Sequence, residues 1–238
     1  MMDCFELNDQ GIDALEKKDY EKALECFKKS LEVNEDYLVA WHNMGSAYSK
    51  LMQFENALKC YDKRLESDSM DTGTLNQKGL TLKKLEKMDS AIDVFDEIIS
   101  IDPFDTAPWM NKGTIFESQN NLEKAIECYD KVLEIEPNKI LAWSNKRIAY
   151  ANQGQTKKAD ECEAKIKKIE SDEGKIEKSS LSESFHFVFH RLKLLQEQFN
   201  SQGPSNGKDI IEKAQYIFRK TVDSKLLNYD STGVFNYS

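Results

Sequence analysis

Two histidines, His186 and His190, stand four residues apart, the spacing at which one face of a helix offers two imidazoles to a metal ion. Phe187, Val188 and Phe189 lie between them, so the glutamate that acts as general base in helical zinc-protease motifs is missing. A third ligand would have to come from Glu183 or Glu197, and a solvated polar edge accounts for the pair without a metal. Five cysteines raise the same question. Cys26, Cys60, Cys128 and Cys162 are separated by 34, 68 and 34 residues, and Cys4 stands apart from them. Neighbouring units of a stacked array pack about 8–10 Å apart, farther than the Cα separation a disulfide tolerates, so the four read as reduced, structural thiols. The sequence contains no Gly-rich phosphate loop, and three histidines leave a Ser or Cys nucleophile few bases to pair with. The expectation is a protein that is not an enzyme, with no cofactor and no metal.

The spacing of 34 governs much more than the cysteines. Rows of 34 residues starting at Cys4 divide the chain without gaps into 4–37, 38–71, 72–105, 106–139 and 140–173. Position four of the rows reads Leu7, Trp41, Leu75, Trp109, Trp143, and position eleven reads Ala14, Tyr48, Leu82, Phe116, Tyr150. Seven residues apart, these two positions share one helical face. Position eight is Gly11, Gly45, Gly79 and Gly113 in four rows, and position twenty is Ala in all five. A glycine inside a helix costs about 1 kcal/mol relative to Ala, so its recurrence predicts a close approach between two antiparallel helices. The second helix of each row is carried by the apolar residues Tyr20, Phe54, Met88 and Leu122 and by the aromatics Phe27, Tyr61, Phe95 and Tyr129, and Pro103 and Pro137 end it.

This pattern of a large residue, a glycine, an aromatic, an alanine, a second aromatic and a proline resembles the tetratricopeptide repeat family over residues 4–173. The resemblance implies an all-α fold, a right-handed α-solenoid of five helix-turn-helix repeats, with the first helix of each repeat lining a concave groove. It also implies that positions two, five, six, nine, twelve and thirteen face that groove. Position six reads Asp9, Asn43, Gln77, Asn111 and Asn145, and an amide there can donate to and accept from the backbone of an extended peptide. Beside Asn43, Gln77, Asn111 and Asn145 the mapping places His42, Met110, Leu80, Lys50 and Lys84. One subfamily grips acidic chaperone tails with Lys, Asn and Arg on three successive repeats; no triplet of rows here supplies those cations.

The fifth row departs from the pattern: Arg147 replaces the glycine, Thr156 the apolar residue and Glu163 the aromatic. An arginine forced into a tight helix crossing costs about 1–3 kcal/mol unless it snorkels to water, and polar replacements on an outer face predict a capping unit. After it, 174–180 reads as a linker and 181–228 as a C-terminal helical hairpin, whose first helix repeats Leu181, Phe185, Val188, Leu192, Leu195 and Phe199 at helical spacing. That hairpin is expected to cover the last repeat or, alternatively, to make a homodimer. Residues 229–238 form a patternless tail.

Net charge is −9, with nine Lys and Arg against seven Asp and Glu in residues 175–238, leaving −11 on the first 174. An acidic array is a poor partner for phosphate backbones, which excludes nucleic acid, and no apolar run approaches the ~20 residues needed to span a bilayer. With no secretory signal at its start, the chain is expected to be cytoplasmic, without membrane contact. The function predicted is a non-enzymatic interaction module holding a protein or peptide ligand in the concave groove; the alternative is a scaffold that self-assembles through the hairpin.

Overall fold

The computed structural model describes residues 2–173. The linker, the hairpin with His186 and His190, and the tail all lie outside the described residues. Within them are ten α-helices: α1 (Cys4–Glu16), α2 (Tyr20–Val33), α3 (Leu38–Lys50), α4 (Phe54–Ser67), α5 (Thr72–Lys84), α6 (Met88–Ile101), α7 (Thr106–Ser118), α8 (Leu122–Ile135), α9 (Ile140–Asn152) and α10 (Thr156–Glu173). Every odd helix starts at position one of a row and every even helix at position seventeen, so the 34-residue period is a period of helix pairs.

Local chemistry starts and stops these helices. Asp3 caps α1 in a reciprocal box: the Glu6 backbone N–H donates to Asp3 Oδ1 at 2.8 Å, and the Asp3 N–H donates to Glu6 Oε2 at 3.2 Å. Asp19, Asp71, Asp105 and Asn121 cap four other helices in the simpler manner. Pro103 and Pro137 follow two residues after α6 and α8 end, where they block continuation. Between the helices of each pair the chain turns through a left-handed residue: φ is 61° at Lys18, 59° at Met52, 58° at Glu86, 57° at Asn120 and 73° at Gly154. Only the last is the residue type that adopts this conformation without strain. Met52→Gly and Glu86→Gly are each expected to raise the unfolding free energy by up to about 1 kcal/mol, and Asn120→Gly by less, because Asn tolerates left-handed backbone better. Denaturant midpoints measure this; a fall on replacing Met52, which is 74% exposed, would refute the strain argument.

The helices of a pair run antiparallel and touch where the glycines lie. A Cβ built at Gly11, Gly45, Gly79 or Gly113 would come within 2.3, 2.5, 2.7 or 2.4 Å of the rings of Phe27, Tyr61, Phe95 and Tyr129 respectively. All four rings are fully buried. In the fifth pair the same crossing is made by an ion pair, Arg147 Nε to Glu163 Oε2 at 3.4 Å, with both side chains about two-fifths exposed (40% and 43%). The expected penalty at Arg147 is therefore met by exchanging both partners at once, and Lys167 extends the pair to Glu163 at 3.6 Å.

Successive pairs are joined by a buried stack and by a polar ladder. Phe27 and Leu31 of α2 pack with Ala40, Met44 and Ala47 of α3, and Phe95 and Ile98 of α6 pack with Ile115 of α7. Beside the stack, Lys78 bonds Asp62 at 2.7 Å, Lys112 bonds Asp96 and Lys146 bonds Asp130, each lysine reaching back sixteen residues to the preceding pair. In the second row Met44 takes the lysine's place, and Lys28, at the aspartate's place, lies 6.0 Å from the centre of the Tyr48 ring.

Both ends of the described array are polar. Where later odd helices turn Ala40, Met44 and Ala47 or their counterparts toward the preceding pair, α1 carries exposed Glu6, Gln10 and Asp13. At the other end, the apolar outer residues of the even helices give way in α10 to Thr156, Asp160, Glu163 and Lys167. Among the described residues, no helix is long and apolar enough to cross a membrane.

Candidate functional site

Among the described residues the odd helices approach one another directly: α1 meets α3, α3 meets α5 and α5 meets α7, and no two even helices approach as extensively. On a curved stack the elements that close up lie on the inner side, so the odd helices form the concave face. At about 100° per residue, positions two, six, nine and thirteen share one face of each odd helix, opposite positions four and eleven that pack on the even helix. That face carries Asn43, Gln77, Asn111 and Asn145, half-buried; Leu80, half-buried; and Lys50 and Lys84, exposed.

The amides are engaged within the array. Asn43 Nδ2 donates to Asn8 Oδ1 at 3.0 Å and Asn111 Nδ2 to Asn76 Oδ1 at 3.3 Å, so position six reaches back to position five of the preceding repeat. Each keeps its own carbonyl oxygen and one N–H for a ligand. Asn145 lies beside the hydroxyl of Tyr129, which donates to Glu117 Oε2 at 2.9 Å. Burial, with Glu117 beside it, pushes the Tyr129 phenol well above its ordinary value, so it acts only as a neutral donor.

His42 takes part in a relay across two repeats. Its Nδ1 lies 2.7 Å from Thr74 Oγ1, whose own hydrogen goes to Asp71 Oδ2 at 2.8 Å, and Arg64 Nη2 meets the same carboxylate oxygen at 3.0 Å. Because the Thr74 hydroxyl donates to Asp71, the arrangement assigns the hydrogen of the His42 contact to Nδ1. Burial holds the imidazole below its ordinary pKa, a lowering that Asp71 partly opposes and Arg64 assists, so it is neutral at neutral pH. Burial tends to raise the Asp71 carboxyl, but the bonds from Thr74 and the charge of Arg64 outweigh it and leave the pKa below the ordinary value.

Met110 does not belong with the open groove residues. At 8% exposure it is packed with Tyr129, Val132 and Ala142. The reason is angular: position five is turned about 70° from the centre of the open face, toward the next repeat, which also explains why His42 meets Thr74 and Asn8 is buried. The sequence reading missed Phe5, at position two of the first row, which is exposed with its ring 4.9 Å from that of Tyr37. Its signal is its place at position two, one of those the family resemblance turns toward the groove. Lys83, next to Lys84, ties two repeats together: its Nζ donates to Thr114 Oγ1 at 2.7 Å, and burial together with Lys84 lowers its pKa.

The repeating cysteines are buried and free of disulfides, and burial raises Cys60 to about 12 and Cys128 to about 11, which keeps them as thiols at neutral pH. Among the described residues no group of three or more His, Cys, Asp or Glu side chains is arranged to hold a metal ion.

Comparison with known proteins places this geometry. Family models described as the tetratricopeptide repeat match residues 14–37, 38–69, 72–105 and 107–139. No curated protein matches the sequence. Among solved structures, a crystal structure of MamA superposes with a TM-score of 0.65 at 21% identity, covering 75% of this chain and 97% of that one. MamA from Desulfovibrio magneticus RS-1 gives 0.64 at 21% identity over 71% and 96% of the two chains. YrrB, described as a TPR protein with an unusual peptide-binding site, gives 0.57 at 22% identity over 71% and 88%. Likeness at these identities speaks for the fold alone.

Proposed function

Because the chain belongs to the tetratricopeptide repeat family, whose fold serves as a protein interaction scaffold, we propose that its concave face binds a peptide or helical segment of a partner protein. The observation that carries this reading is the open face of the odd helices, which sets half-buried amides beside exposed apolar side chains. Asn43 and Asn111 are held in position by Asn8 and Asn76, so their remaining donor and acceptor are preorganised for a ligand backbone. Each such bond contributes only about 0.5–1.5 kcal/mol net, so apolar contacts at Val39, Leu80, Leu141 and Ile148 must supply much of the affinity. The ligand class that fits is an amphipathic segment. Lys50 and Lys84, exposed in the middle of an acidic array, favour acidic side chains in its central part. The role needs no catalytic group and no cofactor.

The test has two stages. Mass spectrometry of polypeptides that co-purify with the full chain identifies the ligand, and calorimetry then compares wild type with Asn111→Ala/Asn145→Ala. Loss of two hydrogen bonds predicts an affinity about 5- to 150-fold weaker, with a cooperative, helical thermal transition retained. Unchanged affinity in the folded variant would move the binding surface elsewhere.

A further inference from the structure

The apolar side chains left open on the concave face are concentrated toward its two ends. Phe5 (57%) and Val39 (46%) lie at one, Leu141 (59%) and Ile148 (39%) at the other. Between them, position two is occupied by Gly73 and Ala107, so the middle of the face is low. Leu141 and Ile148 are seven residues apart on α9, two turns of one helical stripe.

Three facts bear on what covers that stripe. The outer end of the array is already suited to water, since Thr156, Asp160, Glu163 and Lys167 stand where an apolar neighbour would need apolar partners. The rest of the chain nevertheless contains an apolar stripe at helical spacing: Leu181, Phe185, Val188, Leu192, Leu195 and Phe199. Lastly, α10 runs antiparallel to α9 and is 18 residues long against 13, so its end at Glu173 lies past the first turn of α9, which holds Leu141. The seven residues 174–180 can span up to about 25 Å, enough to turn from that end onto the concave side. Charge assists, because the first 174 residues carry −11 and the remainder carries a small excess of Lys and Arg.

We propose that residues 181–199 of this chain occupy the C-terminal half of its own concave face, seated on Leu141 and Ile148 and extending over the low centre toward Leu80. As a helix the 19 residues measure about 28 Å, the breadth of roughly three odd helices packed at about 10 Å. The occupant covers the last three repeats and leaves Phe5 and Val39 open. The inference takes the concave face to be the binding face, as proposed above, but its test requires no partner.

Hydrogen exchange on the full chain, read by mass spectrometry, compares wild type with Leu141→Asp/Ile148→Asp. Both side chains are exposed, so the array stays folded, which the unchanged exchange of α5–α8 core amides verifies. Residues 181–199 are expected to exchange at least tenfold faster in the variant, independently of protein concentration. Equal exchange in the two proteins overturns the proposal, and so does a difference that appears only at high concentration, which would mean a second copy provides the seat. A Leu141→Cys/Leu192→Cys protein treated with a short bismaleimide should cross-link at the monomer mass. Cross-linking only at the dimer mass, or none, would also refute it. Each of these failures leaves the binding of an external ligand to be judged by its own calorimetry.

Discussion

Phe95→Ala is expected to lower the unfolding free energy by about 3–5 kcal/mol, the cost of removing a fully buried ring from a site that cannot collapse around the gap. The ring lies against the bare backbone of Gly79, where a Cβ would approach Cε1 to 2.7 Å, and belongs to the cluster of Leu75, Val94, Ile98 and Ile115. It holds the third helix pair together and faces the fourth, so its loss acts at the centre of the array. Stability in such arrays is a sum of unit and neighbour terms, and a weak centre separates the two flanks. The single denaturant transition should accordingly broaden or split, read by circular dichroism. The converse change tests the same contact. Gly79→Ala gains about 1 kcal/mol of helix propensity but drives a methyl into the ring, and overpacking of about 1–3 kcal/mol predicts net destabilisation. In the Phe95→Ala background the steric part vanishes and Gly79→Ala should stabilise. Additive effects of the two changes would show that ring and glycine do not bear on each other.

The second large effect is electrostatic. Lys112 has an 11% exposed side chain and bonds Asp96 across the joint between α6 and α7. Asp96→Ala is expected to cost about 1–3 kcal/mol, less than the 3–5 of a fully buried pair because the aspartate itself is 51% exposed. The penalty comes from a nearly buried ammonium left without its carboxylate. Lys112→Met removes the charge instead and should cost under 1 kcal/mol, since the equivalent position in the second row is Met44, buried in the core. Thermal denaturation of both variants decides the matter: equal losses would mean the pair contributes through packing alone.

The sequence made the repeat legible because its strongest signals are steric. Gly79 and Phe95 recur with their counterparts at a fixed offset, and a small residue kept opposite a large one is what a close helix crossing demands. The two antiparallel helices of each row followed from the same period. The Lys112–Asp96 ladder was hidden because both residue types are common on any surface, and their pairing crosses from one row to the next. The turns were hidden for the opposite reason: Lys18, Met52, Glu86 and Asn120 adopt a backbone conformation that glycine would have announced. At the candidate site the amide column was visible, but its backward bonds were not, since Asn43 and Asn8 become partners only when helices stack. Met110 was misplaced because one generic set of groove positions joins two directions on the helix, and position five points along the stack rather than into the groove.

The polar ends of the array have a meaning for assembly. Stacking one repeat on the next is a head-to-tail operation, and a head-to-tail contact that does not close on itself generates a filament without a defined length. If Glu6, Gln10 and Asp13 at one end met Thr156, Asp160, Glu163 and Lys167 at the other, many polar groups would be dehydrated in place of the Phe95-type contact that drives stacking inside the molecule. The same period that builds the array would otherwise let one molecule continue into the next, and these seven side chains make that continuation costly.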